Sequence, residues 1–275
     1  MSAAPEPRVK KIVSRDNPGY KVLRRLAEDA REQRRQGLTL LDGVHLVAAY
    51  RDKVGSPQRL IVSEHGLQQG EVQAVLASLP AVDVWLLGDG LFHSLSELSS
   101  PPGLMAQIAV PAPRQGGFLS GVSCVLLDGV QDSGNVGSIL RSAAAAGLRQ
   151  VYLGSGCAGV WTPRVLRAGQ GAHFDLDIHE QAALDEVLAA FGGLTLAASA
   201  HADVSLYQLD LRGPVAWLFG SEGQGICPAL EAACRQRMTI PLAAGSESLN
   251  VAAAAAVCLF EEVRQKIHAG HVAGS

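Results

Sequence analysis

The sequence predicts an α/β fold in two domains, each built around a largely parallel sheet. Apolar segments of strand length alternate with helical segments in both halves of the 275 residues, which is the pattern of strand–helix–strand units. A cluster of Pro and Gly between residues 99 and 121 separates the halves, as a linker would. We therefore expect a smaller α/β domain followed by a larger one.

In the first half, a basic arm at 1–18 ends at an Asn-Pro-Gly turn signal. Leu23 and Leu26 belong to an apolar face at helical spacing, so 20–35 is predicted to be one helix. The other predicted elements of this half are strands at 38–41, 59–62 and 82–86 and helices at 44–51, 68–79 and 91–98. An apolar segment at 104–110 follows the first residues of the Pro/Gly-rich break, and no element is predicted for it.

In the second half, strands and helices again alternate. The predicted strands are 124–127, 151–153, 194–198, 214–219 and 238–240, and the predicted helices are 136–146, 163–168, 182–191, 228–235 and 251–266. The expected organisation is an arm at 1–18, a first domain at 19–110, a linker at 111–121, a second domain at 122–268 and a flexible tail at 269–275.

Composition excludes several classes of protein. The hydrophobic fraction of 48% is too high for a disordered chain, and no apolar run approaches the ~20 residues of a membrane span. The first residues carry charge without a following apolar core, so we expect no secretory signal. Five cysteines form no CxxC pair and eight histidines show no metal-binding spacing. These patterns indicate reduced thiols, no metal and a cytoplasmic location.

The net charge of −3 conceals an uneven distribution. Residues 1–60 hold 13 Lys and Arg against 7 Asp and Glu, so this part would present a positive field to a polyanion. A basic helix can also be merely solvated. The candidate contacts to a nucleic acid are Arg24, Arg25, Arg34 and Arg35 in the first half and Arg164 and Arg167 in the second.

The first of three polar loops follows the predicted strand 124–127 and reads DGVQDSGNVGSILR over 128–141. Ligands bind open α/β sheets at the carboxyl ends of strands, where such loops lie. Asn135 is placed to cap the following helix. Arg141 has only Gly137 and Ser138 at its i−4 and i−3 positions, which leaves space for a phosphate or hydroxyl unless Arg141 is an ordinary surface side chain.

The second and third loops also follow predicted strands. The second reads FGSEGQG over 219–225; its glycines let the backbone approach a ligand, although Glu222 can equally be a turn residue. This loop matches neither a dinucleotide GxGxxG motif nor a P-loop. The third reads IPLAAGSESLN over 240–250 and leads into five alanines, and either Ser248 or Asn250 can cap the helix that follows.

Together these loops resemble the motifs of the SpoU (TrmH-type) family of SPOUT RNA 2′-O-ribose methyltransferases. The family patterns D-x-V-x-D-x-x-N-x-G…R, F-G-x-E-G-x-G and I-P-x-x-G-x-x-E-S-L-N-V match residues 128–141, 219–225 and 240–251. The segment 162–172 is similar to the family's connecting segment, so the resemblance covers 122–267. More loosely, LDGVHLV at 41–47 resembles the ribosomal-protein-L30e-like substrate-binding domain of two-domain members.

The resemblance implies a C-terminal SPOUT α/β-knot domain, tied in a deep trefoil knot, preceded by a smaller α/β domain that binds the RNA substrate. It implies S-adenosylmethionine as the cofactor, bound within the knot, and a homodimer whose active site lies at the subunit interface. The implied reaction is methyl transfer to a ribose 2′-hydroxyl of RNA. By position, the cofactor would contact Ser199, Leu218, Gly220, Ile240, Leu242 and Leu249.

The catalytic residues implied by the same resemblance are Asn135, Arg141, Glu222, Ser248 and Asn250. Methyl transfer needs the 2′-oxygen in line with the methyl group, so positioning accounts for much of the rate. Because arginine resists deprotonation, Arg141 would clamp the adjacent phosphate and stabilise charge on the oxygen. The other four would orient Arg141 and the ribose. Ser133 stands where the family often has proline, which makes the loop before Asn135 more flexible.

The sequence leaves two alternatives open, namely the same reaction on transfer RNA and a non-catalytic RNA-binding protein of the same fold. By analogy alone, the two-domain architecture favours ribosomal RNA of 23S type over transfer RNA. A non-catalytic RNA-binding protein of the same fold is opposed by the intact catalytic positions. A nucleotide-dependent enzyme of the Rossmann or P-loop kind is disfavoured, because both phosphate-binding signatures are absent.

Overall fold

The computed structural model describes residues 8–113, 120–244 and 247–270, which divide into two compact units. The first comprises the residues up to Ala112 together with Trp161–Phe174, and the second comprises Pro113–Val160 and the residues from Asp175 onward. The domain boundaries expected from the sequence remain a prediction. Residues 1–7 of the expected arm, most of the expected linker and most of the expected tail lie outside the described residues.

Five strands form the sheet of the first unit. They are β1 (Val9–Ile12), β2 (Leu38–Asp42), β3 (Arg59–Ser63), β4 (Val84–Leu87) and β5 (Leu104–Ala109). The spatial order is β1-β4-β3-β5-β2, with β1, β4 and β3 parallel and β5 antiparallel to both of its neighbours. This sheet is therefore mixed, and the prediction of a largely parallel sheet is wrong for the first unit.

Six parallel strands form the sheet of the second unit. They are β6 (Cys124–Asp128), β7 (Gln150–Leu153), β8 (Asp177–Glu180), β9 (Leu194–Ala198), β10 (Val215–Gly220) and β11 (Gln236–Met238). The spatial order is β11-β9-β10-β6-β7-β8, and every neighbouring pair is parallel. The predicted buried parallel sheet is confirmed. Since β9, β10 and β6 are adjacent, the loops that follow them meet at one edge.

The described ranges contain ten α-helices, and none is long and apolar enough to cross a membrane. They are α1 (Pro18–Glu28), α2 (Ala30–Gln36), α3 (Val44–Lys53), α4 (Gly70–Ser78), α5 (Asp89–His93), α6 (Ser133–Ala145), α7 (Pro163–Gly169), α8 (Leu184–Ala190), α9 (Pro228–Ala233) and α10 (Val251–His268). Although α7 lies between β7 and β8 in sequence, it belongs to the first compact unit.

The single helix predicted at 20–35 is wrong, because α1 and α2 meet at Asp29. Asp29 is extended (φ −129°, ψ 106°), and its carboxylate accepts hydrogen bonds from the backbone N–H groups of Arg31 at 2.8 Å and Glu32 at 3.4 Å. The Asp29 side chain therefore starts a second helix. The periodicity of apolar residues does not reveal such a break, because the break is caused by a polar capping side chain.

Three strands have no counterpart among the predicted elements. Strand β1 lies in the expected basic arm, and only Ile12 is buried, since an edge strand shows little apolar pattern. Strand β8 also has one buried residue, Ile178. Strand β5 is buried at its first five positions, but it follows the Pro and Gly residues of the break, which suggest a linker.

A buried polar network fixes α10 against the second sheet. Glu262 is 1% exposed, and its carboxylate accepts hydrogen bonds of 2.5 Å from Ser123 Oγ, Trp217 Nε1 and Lys266 Nζ. Trp217 lies in β10 and Ser123 directly precedes β6. The network therefore joins the final helix to the two central strands whose ends carry the functional loops.

Candidate functional site

A cavity of about 590 Å³ lies at the carboxyl ends of β9, β10 and β11, beside the start of α10. Ligand pockets span roughly 300–1,000 Å³, so a cofactor fits this volume. Five of the six residues expected to bind a cofactor line the cavity, namely Ser199, Gly220, Ile240, Leu242 and Leu249. Leu218 does not: side chains alternate along a strand, and Leu218 is fully buried in the core cluster that includes Leu184 and Leu188 of α8.

The cavity has further lining residues that no motif indicates. His201 follows β9, Thr239 follows β11 and Glu231 lies in α9. Each is close in sequence to a strand that ends at the same edge of the sheet. That relationship becomes visible only when the strand order is known, so the sequence alone carries no specific signal for them.

The loop after β10 folds back on itself. Ser221 and Gly225 exchange backbone hydrogen bonds of 3.0 and 2.9 Å, and Gly225 has a φ of +69°. A Cβ at Gly220 would lie 2.2–2.4 Å from backbone atoms of Gly225 and Ile226. Gly220 is therefore required by the loop's own close approach. Asp128 Oδ2 accepts from the Cys227 backbone N–H at 2.7 Å, which ties the end of the loop to β6.

Three of the predicted catalytic residues form one hydrogen-bonded cluster. Asn250 Nδ2 donates to Asn135 Oδ1 at 3.0 Å and to Glu222 Oε1 at 3.1 Å. Asn135 Nδ2 also donates to Glu222 Oε1. Glu222 and Asn250 line the cavity, so the cluster lies at its rim. The three loops singled out in the sequence thus converge, one residue from each.

The caps of two helices decide which side chains are available to this cluster. Asn135 does not cap α6, as its position had suggested; Asp132 does so by accepting from the Asn135 backbone N–H at 2.8 Å. The Asn135 side chain is consequently left for Glu222. At α10, Asn250 is the cap, accepting from Ala252 and Ala253 at 3.0 and 3.2 Å. Ser248 is not the cap, and it lines the cavity.

Arg141 does not line the cavity. It lies six residues after Asn135 in α6, which rotates it by about 120° around the helix. The side chain is exposed and is not among the lining residues. It forms no ion pair with any other residue of the described ranges. Arg141 is therefore a surface cation that no carboxylate of the described ranges neutralises.

The arginines expected to contact RNA lie in the first unit, and several already have counter-ions. Arg24 pairs with Glu28 at 2.8 Å, and Arg35 with Glu32 at 2.6 Å. Glu97 accepts from Arg164 at 3.0 Å and lies 3.9 Å from Arg167. Exposed Arg25 and Arg34 have no such partner among the described residues. In those ranges, no group of three His, Cys, Asp or Glu is arranged to hold a metal ion.

Comparison with known proteins agrees with the geometry of the second unit. Residues 123–260 match the model of the SpoU rRNA Methylase family. A Synechocystis protein named as an uncharacterized tRNA/rRNA methyltransferase is 31% identical, over 93% of this chain and 94% of its own length. The 23S rRNA (guanosine(2553)-2′-O)-methyltransferase RlmP of Bacillus subtilis is 27% identical, over 92% of this chain and 98% of its own.

A solved structure agrees with the fold over nearly the whole chain. The SpoU methyltransferase AviRb from Streptomyces viridochromogenes, crystallised in complex with the cofactor AdoMet, is 25% identical and has a TM-score of 0.83. The similarity covers 91% of this chain and 98% of that one. With a family model spanning half of the sequence and a relative aligned over most of it, the chain belongs to the SpoU rRNA methylase family.

Proposed function

We propose that this protein transfers the methyl group of S-adenosylmethionine to a ribose 2′-hydroxyl of ribosomal RNA, of 23S type. The observation that carries the proposal is the Asn135–Glu222–Asn250 cluster at the rim of a cofactor-sized cavity. The name of the Bacillus subtilis relative specifies 2′-O methylation of 23S rRNA, which favours ribosomal over transfer RNA as the substrate.

The cavity has the chemistry that S-adenosylmethionine requires. Leu242 and Leu249 line it and are 36% and 40% exposed, so a ligand with apolar parts would remove their side chains from water. Ser199, Gly220 and Ile240 would complete its contacts. When bound, the cofactor supplies an electrophilic methyl group on a sulfonium. The AdoMet complex of AviRb supports this assignment.

The cluster would orient the ribose. Asn135 and Asn250 donate to the same Glu222 oxygen, Oε1, and no hydrogen bond joins Oε2 to another described residue. Glu222 Oε2 is then available to accept a hydrogen bond from the 2′-hydroxyl and hold its oxygen toward the methyl group. Ser248, also on the cavity wall, would contact the same ribose. Such positioning accounts for much of the rate of a bimolecular step.

Arg141 would act at the subunit interface of a homodimer. The exposed side of α10 carries Ala253, Phe260 and Ile267, and the last two are 48% and 55% exposed. Large exposed apolar side chains at helical spacing favour association with another chain, and α6 packs against this helix. A second copy would bring Arg141 to the shared site, where it clamps the RNA phosphate and stabilises charge on the 2′-oxygen.

Family membership also supports the finer expectations for the fold. These are a deep trefoil knot within 122–268 and an L30e-like RNA-binding domain at 19–110. Ribosomal RNA as the substrate further supports a cytoplasmic location.

Methyl transfer with tritiated S-adenosylmethionine tests the proposal. Unmodified 23S rRNA transcript and total RNA from a strain lacking the gene are incubated with the protein, digested and separated into nucleosides. We expect label in a 2′-O-methylnucleoside, lost with Arg141→Ala and retained with Arg149→Ala, another exposed arginine of the same unit. Cofactor binding measured by calorimetry is the second readout. If the protein neither binds the cofactor nor transfers a methyl group, the enzyme assignment is wrong and a non-catalytic RNA-binding protein is favoured.

A further inference from the structure

Two cations lie over one aromatic ring in the first unit. Trp85 is half-buried in β4, and Lys10 of β1 is its direct neighbour in the strand register. The Lys10 Nζ lies 5.2 Å from the ring centroid, and the Arg59 guanidinium carbon lies 3.7 Å from it. A Cβ at Gly19 would lie 2.5 Å from the ring, so the start of α1 holds the indole in place. We name Lys10, Arg59 and Trp85 the Trp85 cluster.

The charge of the Trp85 cluster is not balanced by direct ion pairs. Arg59 Nη1 donates to Gln107 Oε1 at 2.9 Å, whereas Arg59 Nε is buried without a partner. Burial lowers the pKa of Arg59, and the charge of Asp83 partly offsets this effect. Among the described residues, no carboxylate lies within 4.0 Å of the Lys10 or Arg59 cation.

The arginines with carboxylate partners provide a contrast in the same unit. Arg24, Arg35 and Arg164 each lie within 3.0 Å of a glutamate oxygen. An anionic ligand would have to displace that glutamate before it could bind. At the Trp85 cluster it would meet cations that no carboxylate occupies, so the cluster is the more favourable place for a polyanion.

We propose that Lys10, Arg59 and Trp85 form a phosphate-binding surface for RNA. The identity of the partner rests on the proposed function. A guanidinium held 3.7 Å from the centre of an indole ring is already oriented, so its free N–H groups can bind a phosphate with little further ordering. The ring itself is covered by the two cations and by Gly19. Trp85 therefore positions the cations and does not stack on a base.

This geometry predicts binding without sequence preference. Contacts to phosphate fix the register and orientation of a nucleic acid but do not read its bases. Each phosphate neutralised releases counter-ions, so affinity falls with salt concentration in proportion to the number of contacts. Removal of one cation of the Trp85 cluster should therefore reduce the salt dependence as well as the affinity.

The test measures fluorescence anisotropy of a fluorescein-labelled RNA hairpin of mixed sequence over a range of salt concentrations. The variants are Lys10→Gln and Arg59→Gln, and the matched control is Lys11→Gln, because Lys11 lies in the same strand as Lys10, is exposed and is already paired with Glu64. We expect each variant of the Trp85 cluster to weaken binding of this hairpin and of a second, unrelated hairpin equally. Each should also lower the slope of log affinity against log salt by about one. The control should match the wild type.

Two results would contradict the proposal. If Lys10→Gln and Arg59→Gln retain the affinity and salt slope of the wild type, or if Lys11→Gln weakens binding as far as they do, the proposal is wrong. Lys10 is exposed, so Lys10→Gln decides the matter if Arg59→Gln fails to fold. Failure of the proposed function looks different, because the wild type would then bind the hairpin with the expected salt slope and transfer no methyl group.

Discussion

Asn250 donates a hydrogen bond to Asn135 at 3.0 Å, although 115 residues separate the two in sequence. The Oδ1 atom of the same Asn250 side chain accepts from two backbone N–H groups at the start of α10. One amide therefore begins the final helix with its oxygen and holds the polar cluster with its nitrogen. Helix capping and the geometry of the candidate active site are linked through this residue.

Because the oxygen and the nitrogen of the Asn250 amide have separate roles, we predict that Asn250→Asp lowers activity without unfolding the protein. Aspartate keeps the oxygen that caps α10, but it removes the donor to Glu222 and places a second carboxylate beside it. A hydrogen bond to a charged group is worth about 1.5–3 kcal/mol, so methyl transfer should fall by about tenfold to a hundredfold. Initial rates and urea unfolding curves of the purified variant check both parts.

Asn250→Ala is the matched variant, because it removes both functions. Its free energy of unfolding should fall by about 1 kcal/mol from the lost cap, and its activity should fall as far as that of Asn250→Asp. If Asn250→Asp transferred methyl groups at the wild-type rate, the cluster would have no role in the reaction.

Gly220→Ala should disrupt the cofactor cavity. The added Cβ would lie 2.2 Å from the Gly225 carbonyl carbon, and backbone atoms cannot move as a flexible side chain can. We expect the affinity for S-adenosylmethionine, measured by calorimetry, to fall by at least tenfold. Gly223→Ala in the same loop is the control, because a Cβ there meets nothing within 4 Å. Equal loss in both variants would show that general loop flexibility matters instead of the close approach at Gly220.

The thiols should differ sharply in reactivity. Burial raises the pKa of Cys124 to about 12, and burial together with Glu231 raises that of Cys234 to about 12. Burial also raises the pKa of Cys157 and Cys258, whereas Cys227 is exposed. The thiolate is the reactive form, so Ellman's reagent at pH 8 should modify one cysteine quickly. Cys227→Ser should abolish that phase, and a fast phase that survives this substitution would contradict the assignment.

Lys266→Met should destabilise the protein more than an exposed ion-pair substitution does. It leaves the Glu262 carboxylate, 1% exposed, without its cation. Loss of one partner of a buried pair costs about 3 kcal/mol or more. Urea unfolding measures the difference, with Arg212→Met as the control, because Arg212 and Asp210 are both 61% exposed. Similar unfolding curves for both variants would mean that water already screens Glu262.

The sequence carries enough information to predict where the site lies. Each of the three loops follows a strand predicted from a buried apolar run, and parallel strands place such loops at one edge. The sequence does not show which polar residue of a loop caps the following helix and which one belongs to the cluster. Asp132 and Asn135 are both good capping residues, and only the observed start of α6 at Ser133 shows that Asp132 is the cap. That start leaves the Asn135 side chain for Glu222.

Long-range pairing limits what the sequence indicates about charge. The composition shows that residues 1–60 are basic, but it does not show which carboxylate pairs with which cation. Glu97 and Arg164 are 67 residues apart and nevertheless form an ion pair. Arg59 and Trp85 lie on neighbouring strands of the sheet, so their stacking follows from a register that no local pattern encodes.

A comparison of the wild type with Glu222→Gln tests the central claim most directly. Single-turnover methyl transfer to 23S rRNA is followed by mass spectrometry of the nucleosides, and the affinity for S-adenosylmethionine is measured in parallel. We predict that the wild type produces a 2′-O-methylnucleoside, and that Glu222→Gln binds the cofactor comparably but reacts at least tenfold more slowly. A methyl group on a base, or an unchanged rate in Glu222→Gln, would contradict the proposed role of the cluster.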